Sequence, residues 1–335
     1  MRLAPVDPVA LVLRILKWLL VSVAGIVVVA LIAGLVYQEI SESRDLERYP
    51  LPGRMVDVDG RLMHIDCIGE GSPTVILELG VGSASVSWYD IHRRLSEITT
   101  TCAYDRAGLG YSEPIDQPKR ATAIAERLHK LLRNAEIDDE LVLVGWSAGG
   151  VYVREFFQRY PENVRGMLLV DSSHEQQANR MPQTSGGGAD PALEIAKQLA
   201  PFGLVRLSGI LRQRVASSRA SDDAKAYLNV TYHLSHVLDT VSQESDAFNL
   251  DMDADRPPST MGDLPLIVLT RGAPAEDSGS SREQLQQERE ARMGLQRELA
   301  ALSTNGKQII AEESGHNIHA DQPQLVIDAV IELVR

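Results

Sequence analysis

Residues 141–152 read Leu-Val-Leu-Val-Gly-Trp-Ser-Ala-Gly-Gly-Val-Tyr, and no other segment restricts the fold as strongly. The four aliphatic residues have the length and composition of a strand buried on both faces. Gly145 and Gly149 then stand two positions either side of Ser147. Glycines at those points let the chain turn at once from strand into helix, which lifts the serine hydroxyl above the sheet edge and puts the free N–H groups of a helix start beside it. The Gly-x-Ser-x-Gly pattern alone arises by chance; the strand before it and the helix after it give it meaning. Ser147 is therefore the candidate nucleophile, with a purely structural serine as the alternative.

The rest of the chain supplies a sheet for that strand. Residues 55–58 and 61–68 alternate in polarity around Asp59-Gly60, the turn signal of a β-hairpin. Short apolar runs at 75–79, 100–104, 141–144, 167–170, 266–270 and 308–311 alternate with helical stretches, the mark of βαβ units. The expected fold class is α/β, a mostly parallel sheet with helices on both faces and the hairpin as its antiparallel edge. Residues 172–263 hold no convincing strand; after a Gly186-Gly187-Gly188 loop they read as helices near 193–215 and 224–248, an inserted helical cap. Residues 55–171 and 264–335 would form the two parts of the core. The stretch 281–302, rich in Glu, Gln and Arg, reads as a solvated surface helix without chemistry.

A serine hydroxyl needs a hydrogen-bonded base to act near neutral pH. His316 follows the last strand and precedes an amphipathic helix at 324–334, which places it at the same sheet edge as Ser147. His319 is the near rival. His233 and His236 are read as structural rather than metal-ligating. For the acid that orients the imidazole, Asp171 ends the strand after the nucleophile unit and is preferred. Asp277, with Glu276, follows strand 266–270 only after several loop residues and stays open as the alternative, because Arg271-Gly272-Ala273-Pro274 leaves the near-strand position without a carboxylate. The oxyanion of an acyl-transfer intermediate needs N–H donors. Ala148, next to the nucleophile, offers one, and Val81 in the small-residue loop Leu79-Gly80-Val81-Gly82-Ser83 offers the second.

These residues together resemble the α/β-hydrolase superfamily, in particular its bacterial membrane-anchored, serine esterase-like members. The resemblance covers most of 56–334 and includes Asp105-Arg106-Ala107-Gly108-Leu109-Gly110-Tyr111-Ser112 and Tyr160-Pro161-Glu162-Asn163-Val164. It implies an eight-stranded sheet, a cap after strand six and a triad acid after strand six or seven. Many relatives carry His-Gly where this chain has Leu79-Gly80. Relatives with aspartate at the nucleophile position act on epoxides or haloalkanes, and the serine here argues against both. The expected chemistry is hydrolysis of a small-molecule carboxylic ester by a Ser-His-Asp triad, needing no cofactor or metal. A peptidase or amidase, a carbon-carbon hydrolase, and a non-catalytic sensor or binding module on the same scaffold are the alternatives.

Residues 18–37 carry no charge over 20 positions and are bounded by Trp18 and Tyr37. At about 1.5 Å per residue that run covers the hydrocarbon core of a bilayer, so a transmembrane helix and a lipid partner are expected. Arg2, Arg14 and Lys17 precede it, while Glu39, Glu42, Asp45 and Glu47 follow. The positive-inside rule then leaves residues 1–17 cytoplasmic and the catalytic domain outside. The run is longer than the apolar core of a signal peptide and has no clear cleavage site, so an uncleaved anchor is preferred. Residues 38–54, charged and proline-containing, read as a linker. The net charge of -13 disfavours a nucleic-acid partner. Cys67 and Cys102 are too few for a disulfide framework and lack zinc spacing, so they are read as core residues. Because this fold sets their strands side by side, a bridge between them stays open.

Overall fold

The computed structural model describes residues 8–117, 119–181, 191–252, 258–273 and 281–335. The hairpin forms as its alternation demands: β1 (Arg54–Val58) pairs with β2 (Arg61–Ile68) across Asp59 and Gly60. Both turn residues adopt the positive φ, 56° and 79°, that a tight hairpin turn requires. β3 (Thr74–Glu78), β4 (Thr101–Tyr104), β5 (Leu141–Trp146), β6 (Val164–Val170), β7 (Leu266–Arg271) and β8 (Gly306–Ala311) complete the sheet. Among the described residues its order is β1-β2-β4-β3-β5-β6-β7-β8, with β2 antiparallel to both neighbours and the pairs from β4 to β8 parallel. β5 lies centrally, and its residues from Leu141 to Val144 are buried.

Helices cover both faces. α1 (Pro8–Arg48) precedes the sheet, and α2 (Tyr89–Leu95), α3 (Ala121–Asn134) and α4 (Gly149–Arg159) follow β3, β4 and β5. Between β6 and β7 the described residues form α5 (Gln177–Arg180), α6 (Pro191–Leu199), α7 (Leu204–Ser208), α8 (Ile210–Ala216), α9 (Asp222–Tyr232) and α10 (Val237–Met252). α11 (Arg282–Ala300) precedes β8, and α12 (Ile318–Asp321) and α13 (Pro323–Val334) close the chain. One core, around Leu128, Leu143, Phe156 and Val268, fills one face of the sheet. The other, around Leu77, Trp88, Val144 and Val330, fills the opposite face.

Three expectations change in detail. The segment expected to be a linker is helical as far as Arg48, continuing α1 without a break. It stops just before Pro50, and a proline disfavours helical backbone in the residue ahead of it. The single helix expected near 193–215 is three, because Gly203 and Gly209 take left-handed φ of 71° and 70°. The stretch 281–302 forms a helix with a capping box from Ser281 and Gln284. It is not solvated all round: Leu295, Gln296 and Leu299 are buried, and Gln296 donates to Ser172 O at 2.6 Å. The Gly186-Gly187-Gly188 loop lies outside the described residues.

Cys67 and Cys102 are directly paired across β2 and β4 and form a disulfide, with Cα atoms 4.0 Å apart. The two positions are 35 residues apart, and closing a loop of that length in the unfolded chain is expected to stabilise the fold by about 2–4 kcal/mol. Urea titration with and without a thiol reductant checks this. The reduced protein should unfold at a clearly lower midpoint, and coincident curves would refute the assignment.

Candidate active site

The turn after β5 is held from three sides. Ser147 has φ 57°, a conformation that costs a non-glycine residue about 1–3 kcal/mol and persists only where neighbours enforce it. Its N–H donates to Val170 O at 3.1 Å, and its carbonyl accepts from Gly150 N at 3.1 Å and Ser173 N at 2.9 Å. The flanking glycines are a packing requirement. A Cβ at 145 would lie 2.6 Å from Gly150 Cα, and one at 149 would lie 2.7 Å from the carbonyl oxygens of Glu78 and Leu79. A side chain at Gly150 would meet Ser172 Oγ. The start of α4 can therefore cross the ends of β3 and β5 only without side chains, and the crossing leaves Ser147 half-buried at the sheet edge.

His316 reaches the same edge from the loop after β8. Asp321 holds that loop, accepting from Gly315 N at 3.0 Å and Ser314 Oγ at 3.2 Å. Trp146 Nε1 donates to His316 O at 3.0 Å. The imidazole Nδ1 is 2.6 Å from Asp171 Oδ2, joining residues 145 positions apart. Asp171 is buried and also strained, with φ 39°, at the end of β6. His319 does not share this pairing. Its ring packs between Trp88 and Trp146, at centroid distances of 4.6 and 4.7 Å, and burial pushes its pKa down to about 4. Asp277 and Glu276 lie outside the described residues.

The loop after β3 lies against Ser147: a Cβ at Gly80 would be 3.0 Å from Ser147 Cβ and 3.2 Å from the Trp146 ring. The N–H groups of Val81 and Ala148 make no hydrogen bond among the described residues, nor does Ser147 Oγ. Nucleophile-to-base hydrogen bonds are commonly long until substrate binds.

What holds the loop was not legible in the sequence. Buried Arg106 donates to Leu79 O at 2.9 Å and Gly80 O at 2.8 Å, and pairs with Glu78 and Glu244 at 2.6 Å each. Glu244, on α10, also accepts from Gly82 N at 2.6 Å. Tyr104 OH donates to Glu78. Burial works against the Arg106 charge, but the Glu244 and Glu78 carboxylates outweigh it and raise its pKa well above the ordinary value. Burial pushes the Glu78 carboxyl up, with Arg106 opposing. One guanidinium thus ties the loop after β3 to the inserted helices.

A second residue passed over in the sequence is Arg271. In the sequence it shows only that no acid follows β7 directly. Its Nε is 3.6 Å from Asp171 Oδ2, the oxygen that meets His316, and its backbone N–H donates to Asp171 Oδ1 at 3.3 Å, so Arg271 sets a positive charge beside Asp171. On β2, His64 faces Asp105 through Nδ1 at 2.7 Å and Pro52 O through Nε2 at 2.6 Å. Both partners can accept, so the arrangement favours the protonated ring. Burial lowers its pKa, Asp105 outweighs this, and the net shift is upward. Asp105 also takes the N–H groups of Ser85 and Tyr111 and so shapes the turn that aims Arg106 inward. Among the described residues no group of three or more His, Cys, Asp or Glu side chains is placed to hold a metal ion.

A family model described as the alpha/beta hydrolase family matches residues 76–329. An AB hydrolase superfamily protein of Gibberella zeae is 25% identical over 286 residues, covering 78% of this chain and 87% of its own length. An esterase from Exiguobacterium antarcticum superposes with a TM-score of 0.61 at 15% identity, covering 84% of this chain and 99% of that one. The epoxide hydrolase CorEH does so at 0.60 and 18% identity, covering 84% and 97%. With the strand order, the turn at Ser147 and a family match across most of its length, the chain belongs to the alpha/beta hydrolase family.

Proposed function

We propose that the protein is a membrane-anchored serine hydrolase that cleaves carboxylic esters. The observation that carries this reading is the 2.6 Å contact of His316 Nδ1 with buried Asp171, beside a serine held at positive φ on the same sheet edge. With Asp171 accepting from Nδ1–H, Nε2 is left as the basic nitrogen. It takes the Ser147 proton as Oγ adds to the ester carbonyl. The oxyanion forms toward the free N–H groups of Val81 and Ala148, donors of a kind that typically contribute about 10²–10³ in rate each. The protonated imidazole then gives its proton to the departing alcohol. Water, deprotonated by the same nitrogen, releases the acid from the acyl-serine.

The anchor reading rests on α1. Its most apolar window has a mean hydropathy of 3.0, and none of that window is buried by the rest of the protein. A helix exposing Leu20, Ile26 and Val29 at 67–69% has no reason to form in water. An outward-facing catalytic domain agrees with the Cys67–Cys102 disulfide, since such bonds persist in oxidising compartments.

The full chain in detergent, treated with a fluorophosphonate probe and digested, is expected to carry one label on the peptide containing Ser147. A folded protein that stays unlabelled would overturn the proposal.

A further inference from the structure

The inserted helices contact α1 in an order that fixes their height along it. Ser235 N donates to Glu42 at 2.5 Å; Arg206 reaches Asp45 and, at 3.2 Å, Gln38; Gln38 donates to His233 O at 2.7 Å. Lowest of all, the Phe202 backbone packs on Gly34, where a Cβ would lie 2.5 Å from Phe202 O, and Gly203 packs on the Tyr37 ring. From Gly34 to Asp45 is about 16 Å of helix. Since the uncharged run ends at Tyr37, Phe202 and Gly203 stand at the level where hydrocarbon gives way to headgroups.

The elements flanking that point are inside-out for water. On α7, Arg206 is 5% exposed and ion-paired, while Leu204 and Leu207 on the same short helix are 45% and 63% exposed. Ile210 on α8 is 65% exposed, and Ile195 on α6 is 60% exposed. On α7 folding has buried the charge and left the large aliphatic side chains outside, and α8 exposes Arg212 and Arg214 beside Ile210, the mixture of apolar and basic side chains of an element that lies in a membrane interface.

We propose that the face formed by α6, α7 and α8 is seated in the bilayer surface, with Leu204, Leu207 and Ile210 in the headgroup-acyl boundary. This rests on the anchor reading above and extends it: the contact with lipid is made by the inserted helices as well as by the span. Continuity with α1 at Gly34 and Tyr37 identifies the occupant as lipid. The same insert reaches the catalytic edge, where Val241 packs on Gly82 and Glu244 holds its N–H. The insert that rests on the membrane therefore also touches the loop beside Ser147.

The test uses the full chain in phosphatidylcholine nanodiscs, with an environment-sensitive fluorophore on Leu207→Cys or Ile210→Cys, and lipids spin-labelled near the headgroup. Probes at both positions should emit to the blue and be quenched by the spin-labelled lipid, unlike a control on exposed Gln287→Cys of α11. Val27→Cys, in the middle of the span and read against lipids spin-labelled deep in the acyl chain, reports on the anchor separately. Quenching at 27 with a water-like, unquenched probe at 207 and 210 overturns this inference and leaves the anchor standing. No quenching at 27 removes both. A blue shift at 207 that follows protein concentration and not spin-labelled lipid identifies a second copy of the chain as the occupant, and also overturns it.

Discussion

Ser147→Ala should lower ester turnover by about 10⁴- to 10⁶-fold, with KM for a soluble ester little changed. In the proposed mechanism alanine removes the hydroxyl that forms the acyl bond and leaves the oxyanion donors in place. Stability should change by less than about 0.5 kcal/mol, because either side chain pays the same strain at φ 57° and no Ser147 Oγ hydrogen bond is lost. His316→Ala should cost a similar factor, and the double variant little more than either single one, since the residues act as a unit. Asp171→Asn should reduce kcat by about 10⁴, because an amide can no longer hold the imidazole with its proton on Nδ1. Turnover of a soluble chromogenic ester by the full chain in detergent measures all four. A Ser147→Ala protein within tenfold of the parent, or full additivity of the two alanine variants, would refute the triad.

Arg106→Met is expected to be the most destabilising substitution near the site, by about 3–5 kcal/mol. Arg106 is 4% exposed, and its removal leaves the buried carboxylates of Glu78 and Glu244 facing each other without a counter-charge. The carbonyls of Leu79 and Gly80 lose their donor as well. Adding Glu78→Gln and Glu244→Gln should recover much of the loss, since the penalty belongs to unpaired charge more than to missing packing. The recovered protein should still turn over ester slowly, because the carbonyls of Leu79 and Gly80, which anchor the loop that carries Val81, still lack their donor. Denaturant titration checks the stability, and kcat of the triple variant checks the loop. A loss under about 1 kcal/mol for Arg106→Met would contradict the network.

Much of the site was legible because its chemistry requires rigid local backbone. Ser147 announces itself through two glycines and a strand, and His316 through its place after the last strand. Glu244 gave no such sign: on a helix of mixed polarity it resembles any solvated acid, and its partner Arg106 lies 138 positions away. Arg271 was passed over for a related reason, since an arginine at a strand end is ordinary until the neighbouring strand brings Asp171 beside it. The helix through Arg48 was missed because charged residues near prolines are typical of linkers. Only the docking of Gln38, Glu42 and Asp45 on distant backbone and side chains makes that segment a support.

By itself the sequence determined what depends on neighbours along the chain. These are the period-two hairpin around Asp59-Gly60, the alternation that requires a parallel sheet, the turn at Ser147, and an uncharged apolar run of 20 residues. Tertiary structure alone decided what depends on strand order and register. β6 beside β7 put Arg271 against Asp171, and β2 beside β4 set Cys67 opposite Cys102 so that the pair closed into a disulfide. Packing of α10 over the loop after β3 brought a second carboxylate to Arg106. Local conformation is governed by dihedral preference and side-chain periodicity, which a sequence displays. Pairings across 35, 138 and 145 positions exist only once burial has made unpaired charge and unpaired backbone too costly to leave alone.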